Sequence, residues 1–533
     1  MKQYLFLCLF TTQICFGQQP LRPPLAKSLK DHITFLADDK LEGRRAGSPG
    51  EALASAYVIK EFKKAGLQIA PGHTDFLQAF EIAEGKQLGD SNSLIVGSKT
   101  FALNTDYFPM AFSGPGSVAL IKNKKLLADT LDIGALLLQN VMNPHFELKA
   151  AITAQANNAR QSGKPALILI NNSGTDDKLH FDKNDKTPAV KIPVIFIRNR
   201  QQFMLAADAT LSVSVEDTKR TGHNVIGYID NKATTTVVLG AHYDHLGYGE
   251  DNNSLYSGEI KMIHNGADDN ASGTAALIEL AKMVKNSGIK NNNYIFVAFS
   301  GEELGLFGSK FFVDNFTAGL GSINYMINMD MLGRLNDSTH GLTIGGYGTS
   351  PLWNGIIKQD DSYFKIKLDS SGSGPSDHTS FYRKNIPVLF FFTGTHKDYH
   401  KPSDDADKIN FEGEARVVNY IYTVIVQANN LDRLSFTKTR EAAAMGKSNF
   451  KVTLGIMPDY TFSGNGVLVD GVSDGRPAQK AGVQTGDVLL QLGDHSFSDV
   501  NDYMKALNKF NKGESTKLKL QRAGKEMLFE ITF

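Results

Sequence analysis

Short apolar runs alternate with stretches of helical periodicity between residues 224 and 434, a pattern that predicts an α/β sheet with helices packed on its faces. Residues 235–241 (TTVVLGA) and 294–300 (YIFVAFS) read as strands, 325–329 and 387–392 repeat the pattern, and 271–285 reads as a helix. Upstream, residues 25–66 read as helical, with Leu36, Leu41, Ala52, Tyr57, Ile59 and Phe62 as apolar positions in a charged surface and Gly66 as the stop. Between residues 87 and 215 the texture changes to short β-type runs, such as 117–121, 166–170 and 190–197, separated by polar loops. A polar linker containing Ala and Lys, residues 435–448, precedes a last stretch, 450–533, whose turns and short strands suit a small separate module. The expected architecture is therefore a mixed, mostly parallel sheet flanked by helices, built from residues 25–90 and 222–434. A β-rich insert at 90–220 and a small β-rich domain at 450–533 complete it.

Length agrees with that division, because 533 residues exceed what one ordinary core can organise. With 41% hydrophobic and 21% charged residues the chain has an ordinary globular composition, and 56 basic against 56 acidic residues exclude a strong electrostatic preference for nucleic acid. The first 17 residues carry one positive charge, Lys2, an apolar stretch at 4–10 and a small residue, Gly17, which is the layout of a cleavable signal peptide. Export to the periplasm or beyond the cell is the expectation. Both cysteines, Cys8 and Cys15, fall inside that leader, so the mature chain would hold any metal through His, Asp and Glu. No later apolar run reaches the roughly 18–20 residues that span a bilayer.

Acidic and histidine residues cluster just beyond the expected strands. Residues 235–241 run into His242 and Asp244, 294–300 into Glu302 and Glu303, and 325–329 into Asp330, while 387–392 precede the loop with Tyr399 and His400. Asp269 lies just before the helix at 271–285. In open α/β sheets ligands bind beyond the carboxyl ends of the strands, so these groups can converge although about 160 positions separate the first from the last. Each piece alone has an ordinary reading: His-x-Asp as loop chemistry, Glu302–Glu303 as a solvated turn, Asp268–Asp269 as a helix cap. Two imidazoles and three carboxylates placed this way match the oxygen and nitrogen ligands that zinc accepts.

These residues carry a resemblance to the M28 family of co-catalytic zinc peptidases. It runs through HYDH (242–245), GADDNASG (266–273), SGEELGLFGS (300–309), NMDMLG (328–333) and YHKPSDD (399–405), with LEGRRAGSPGE (41–51) and SDHTSF (376–381) as further blocks. The resemblance implies a zinc-exopeptidase fold and two Zn2+ ions per chain, one held by His242 and Asp330, the other by Glu303 and His400, with Asp269 bridging both. Asp244 would orient His242. Glu302 would act as general base and then general acid, and Tyr399 would donate a hydrogen bond to the developing oxyanion. Asp377 and His378 would belong to the wall of the site. Residues 90–220 resemble a protease-associated domain, a lid or guiding wall. Residues 471–494 are similar to a PDZ domain, in which Thr453, Leu454, Gly455 and Ile456 would form the loop that binds a peptide or protein carboxyl terminus.

The function implied is that of an exported aminopeptidase acting on peptides. A carboxypeptidase, dipeptidase or glutaminyl cyclase of the same fold, or an inactive peptide-binding module, are the alternatives. The full ligand set argues against a single-zinc cyclase, and the presence of every ligand and of the base argues against an inactive module.

Overall fold

Seven consecutive apolar or small side chains make a strand only where both faces of the sheet are covered. The computed structural model shows this arrangement. It describes residues 23–142, 148–439 and 452–533, apart from 174–176, 186, 199, 252, 255, 257, 259, 318, 359, 397, 459–463, 473–475 and 499. The expected leader with its two cysteines lies outside the described residues, as does the linker from 440 onward. Among the described residues no helix is long and apolar enough to cross a membrane.

The central sheet has eight strands: β1 (Leu77–Leu88), β2 (Val215–Ile229), β3 (Thr236–His242), β4 (Asn293–Phe299), β5 (Ile323–Met329), β6 (Gly341–Gly345), β7 (Lys365–Leu368) and β8 (Val388–Phe392). Their order across the sheet is β1-β2-β4-β3-β5-β8-β6-β7. The middle strands β4, β3, β5 and β8 are parallel. β1 and β2 run antiparallel on one flank, and on the other β6 runs antiparallel to β8 and parallel to β7. The mixed, mostly parallel sheet is thus the one the apolar runs predict.

Alternate residues of each strand enter different cores. Val237, Leu239 and Ala241 of β3 pack with helices α1 (Pro23–Leu36), α2 (Pro49–Lys64), α3 (Gly273–Ser287) and α6 (Phe411–Ala428). Val238 instead faces the core that holds Phe312 and Val313 of α4 (Phe307–Asp314) and Phe381 of α5 (His378–Tyr382). Leu25, Leu29, Ile33 and Leu36 recur at helical spacing along α1 and are all buried, which fixes its inward face. Ser28 and His32 on that helix, with Lys282 of α3, surround the Glu279 carboxylate of α3 and pin the two helices together.

Residues 25–66 are not one helical run. Between α1 and α2 the chain makes a tight excursion in which Glu42, Gly43 and Arg44 all have positive φ, and α2 starts afresh with Ser48 accepting from the Glu51 N–H and Pro49 in its first turn. Gly66, with φ 77°, follows the end of α2, as its position in the sequence predicts.

β1 and β2 form a long two-stranded ribbon, paired from Leu77↔Val225 to Leu88↔Val215, and residues 89–214 fold at its far end. That segment holds a five-stranded and a four-stranded sheet. It also holds helices Gly134–Met142, Leu148–Gln161 and Arg200–Met204, which a reading of β-type runs alone misses. Ile152, Ala156 and Ala159 are the buried stripe of the second of these, a helical spacing hidden in an Ala- and Asn-rich stretch.

The C-terminal module has a core of its own, including Leu454, Val467, Leu489, Leu518 and Ile531. Its sheet runs in space from Ile456–Pro458 through Val467–Val472, Val488–Leu492 and Ser515–Arg522 to Lys525–Thr532. The start of the preceding linker is docked rather than free: Phe436 packs on Tyr382, and the Thr437 and Thr439 backbones bond to the Thr349 carbonyl and the Tyr382 hydroxyl.

Candidate metal centre

Strand register brings the first pair of groups together. β3 and β5 pair with Gly240 opposite Asn328, so two residues further on, where each strand ends, His242 stands beside Asp330. His242 Nε2 lies 3.4 Å from Asp330 Oδ1 and 3.4 Å from Asp269 Oδ1. Asp269 enters from the turn Ala267–Ser272 ahead of α3. Its other oxygen, Oδ2, is 3.3 Å from His400 Nε2, which is in turn 3.1 Å from Glu303 Oε2. Asp269 therefore touches both halves of the cluster, and all five residues expected from the sequence to hold metal meet at one end of the sheet.

Donor spacing tests whether they suit an ion. Zinc holds N and O donors at about 2.0–2.2 Å in a tetrahedral array, which places two donors on one ion about 3.3 Å apart. The four separations of 3.1–3.4 Å fit that figure. Asp330 Oδ1 is buried and has no hydrogen-bond partner, as an oxygen reserved for a cation would be. His245 is a further imidazole in the cluster: its Nδ1, Asp269 and Glu303 also present donor atoms within 4.8 Å of one another. Proximity alone does not choose between His245 and His400, but spacing does. His245 Nδ1 is 2.7 Å from Glu303 Oε1 and 4.0 Å from Asp269 Oδ2, a hydrogen bond to one and too far from the other.

Imidazoles and carboxylates act strongly on one another across the cluster. Burial drives an imidazole towards neutrality, yet Glu302, Asp330, Asp244 and Asp269 outweigh it and raise His242 well above the usual range. His400 is raised in the same way against burial by Glu303 and Asp269. Burial opposes ionisation of Asp269, but His242 and His400 hold it well below the usual carboxylate range. Glu303 is likewise brought down to about 2 against burial, by His400 and His245.

Each donor has a brace. His242 Nδ1 faces Asp244 twice, the backbone carbonyl at 3.2 Å and Oδ1 at 3.6 Å, so the hydrogen bond that sets the ring is to the carbonyl and the carboxylate is the more distant partner. The same Oδ1 accepts from the Glu302 N–H at 3.3 Å. Asp404 Oδ2 accepts from the N–H groups of Asp268 and Asp269, both at 3.1 Å, and Asn270 ties the turn to β5 through the Met329 carbonyl and the Met331 N–H. Asp268 is no helix cap. It accepts from the Gly333 N–H and Ser272 Oγ and faces His396 Nε2 at 3.1 Å. His400, at φ 53°, bonds through Nδ1 to the Asn253 carbonyl at 2.9 Å. Arg44, fully buried, donates to the carbonyls of Tyr243, Asn265 and Gly266 at 2.7, 2.6 and 3.0 Å and to that of Leu36. It thereby joins the turn after His242 to the turn before Asp269.

Glu302 points its carboxylate to 3.9 Å from His242 Nε2. Burial, with Asp330, Glu303 and Asp377 prevailing over the opposing His242, holds its carboxyl well above the usual range. The Tyr399 ring stacks on His400, with centroids 3.9 Å apart, and burial together with Asp269, Glu303 and Glu302 keeps its phenol protonated far above the usual range. Asp377 is fully buried near Glu302, pushed up to about 7 by burial first and then by Asp244 and Asp330. His378 departs from the expectation: it stacks on Phe390 at 4.5 Å, its Nδ1 has no partner, and burial lowers it to about 3. It is a core histidine behind the wall.

In the C-terminal module Leu454 and Ile456 are buried, and Gly455 has φ 75°, where an added Cβ would strike Arg476. The Gly455 N–H is already engaged with Thr453 Oγ at 3.0 Å, and the Leu454 carbonyl accepts from Ala478.

The sequence profile of Peptidase family M28 matches residues 224–425, and that of the PDZ domain matches residues 434–533. The chain is 26% identical over 313 residues to aminopeptidase YwaD of Bacillus subtilis, a match covering 56% of this chain and 64% of that protein. It is 31% identical over 193 residues to leupeptin-inactivating enzyme 1 of Streptomyces exfoliatus, covering 35% of this chain and 39% of that protein. In both cases the chain spans less than two thirds of the relative's length. Among solved structures, BSAP, a zinc aminopeptidase from Bacillus subtilis, is 20% identical with a TM-score of 0.44, covering 79% of this chain and 99% of that one.

Proposed function

Residues 224–425 are a peptidase domain of family M28 and residues 434–533 a PDZ domain, and on that premise we propose that the chain is an exported aminopeptidase that removes N-terminal residues from peptides with two zinc ions. The observation that carries this reading is the position of Asp269, one oxygen 3.4 Å from His242 Nε2 and the other 3.3 Å from His400 Nε2. His242 and Asp330 would hold one ion, Glu303 and His400 the second, and Asp269 would serve both. When bound, such a pair lowers the pKa of water and stabilises the charge that develops on the scissile carbonyl, aminopeptidases being among the general cases of two-metal catalysis.

The protein's own groups do the rest. Glu302 takes the proton of the attacking water and delivers it to the leaving amine, a role suited to a carboxyl held well above its usual range. Tyr399 keeps its proton and donates a hydrogen bond to the carbonyl oxygen. Asp244 sets the face of His242, and Asp377 closes the wall behind Glu302. Amino- rather than carboxypeptidase action follows the aminopeptidase among the chain's relatives, YwaD of Bacillus subtilis. The insert on its two-stranded ribbon serves as a protease-associated wall. The PDZ domain takes an extended peptide end along the edge strand Ile456–Pro458, which among the described residues has a neighbour on one side, Val467–Val472.

The test is hydrolysis of aminoacyl-p-nitroanilides, their N-acetylated counterparts and N-blocked dipeptides with a free carboxylate, with metal content measured on the same samples. Cleavage of the free-amine series alone, with two zinc ions per chain, is the expected result. Cleavage of the N-blocked dipeptides instead would make the protein a carboxypeptidase. Metal without cleavage of either series, but with ring closure of N-terminal Gln peptides, would make it a cyclase.

A further inference from the structure

His245 belongs to the cluster by position but not by donor spacing. Its side chain is fully buried, its backbone N–H donates to the Arg44 carbonyl at 3.2 Å, and the edge of its ring meets His400 with centroids 5.9 Å apart at 75°. Gly266 makes room for it: with φ 56°, an added Cβ there would lie 2.5 Å from two atoms of the His245 ring. The ring is therefore locked from three sides, and the one bond it makes to the site is Nδ1 to Glu303 Oε1 at 2.7 Å. A carboxylate can only accept, so Nδ1 carries the proton. The other oxygen, Oε2, faces His400 Nε2 at 3.1 Å.

We propose that His245 is a positioning residue that holds Glu303 by Oε1, so that only Oε2 is presented to the second metal. The inference rests on the two-zinc reading above. A carboxylate held at one oxygen by an N–H donor binds an ion through the other, with its torsion fixed before the ion arrives, and partners of this kind change metal affinity by about 10–100-fold. Glu303 stands on a turn beyond β4 rather than in a strand, so without this bond nothing on its own element fixes the carboxylate. Of the groups that serve the first half, Asp269 lies 4.0 Å from His245 Nδ1 through the oxygen that faces the second half, beyond hydrogen-bond reach, so the affinity of the first half is not expected to change.

The test uses the full chain stripped of metal and titrated calorimetrically with Zn2+, with Co2+ absorption as a second readout, for wild type, His245→Phe and His245→Asn. Phe fills the space without donating, and Asn offers an N–H. The wild type is expected to bind two ions. His245→Phe should weaken one of them about 10–100-fold and shift the Co2+ spectrum of that site alone, and His245→Asn should recover most of the loss. A wild type that binds no ion or one would overturn the two-zinc reading itself. With two ions in the wild type, unchanged titration and spectrum in His245→Phe would overturn the inference. So would equal loss at both sites in both variants, which marks a packing residue, and so would complete loss of the second ion in His245→Asn with the first intact, which marks a ligand.

Discussion

His242 and Asp330 stand at the ends of two paired central strands, whereas Glu303 stands on the turn that follows β4 and His400 on the loop that follows β8. The register Gly240↔Asn328 places the first pair almost without further help, and the partner that orients His242 lies two residues away at Asp244. The second pair depends on distant segments. Glu303 is held by His245, and His400 by the carbonyl of Asn253, whose loop is itself anchored where Asp251 takes hydrogen bonds from Arg45 and Arg220. Strand ends give one half of the site its geometry from local chain direction, and long-range hydrogen bonds give it to the other half. The loop-built half is therefore the one that loses its ion first when the surroundings are disturbed.

The shared group is the place to break this division. Asp269→Asn should abolish binding at both halves, and metal analysis after gel filtration should find none; retention of one ion would show that the halves do not share this carboxylate. The next largest effect is expected at Arg44, which joins the turn after His242 to the turn before Asp269. Arg44→Met leaves the buried carbonyls of Leu36, Tyr243 and Asn265 without their donor, while that of Gly266 keeps the Ala271 N–H; at about 1 kcal/mol or more each, urea unfolding should show a loss on the order of 3 kcal/mol.

Glu279 sharpens the comparison as a site remote from both halves. Burial would raise its pKa, but His32, Lys282 and Ser28 lower it from 4.5 to about 2. A carboxylate depressed by folding stabilises the native state above its unfolded pKa and loses that contribution as the pH falls through the folded value. Glu279→Gln should cost about 2–3 kcal/mol at pH 7, and the gap to wild type should close between about pH 4.5 and pH 2 in thermal melts, with metal content unchanged. The smallest effect belongs to the loop anchor. Asp251→Asn should weaken the second ion about tenfold and spare the first, read from competition with a chromogenic chelator; equal weakening of both would erase the distinction between the halves.

Legibility in the sequence follows the same line. The sheet was readable because strands covered on both faces are runs of apolar residues, and the groups beyond their ends followed from strand direction. Glu303, Asp269 and His400 were in view beyond a strand or ahead of a helix, and the motifs supplied their roles. The remainder depends on contacts between segments far apart in the chain. His245 was in view within HYDH, but nothing local distinguishes a brace on Glu303 from a loop histidine. Arg44 lay in LEGRRAGSPGE, and its partners, Tyr243, Asn265 and Gly266, are about 200 residues away. Asp404 lay in the last motif, and its acceptor role shows only when the turn at Asp269 is in place. His378 was read with Asp377 through the block SDHTSF, and only packing separates them: His378 stacks on Phe390, whereas Asp377, just ahead of α5, lies near Asp244 and Asp330. The helix Leu148–Gln161 was missed because its stripe is mostly alanine.

The most direct test of the account compares wild type with Glu302→Gln, measuring bound zinc and the rate on an aminoacyl-p-nitroanilide in the same preparations. If Glu302 moves the proton and holds no ion, the variant keeps both zinc ions and kcat falls by about 10²–10⁴-fold. A variant that keeps the wild-type rate, or that loses zinc together with the rate, would contradict it.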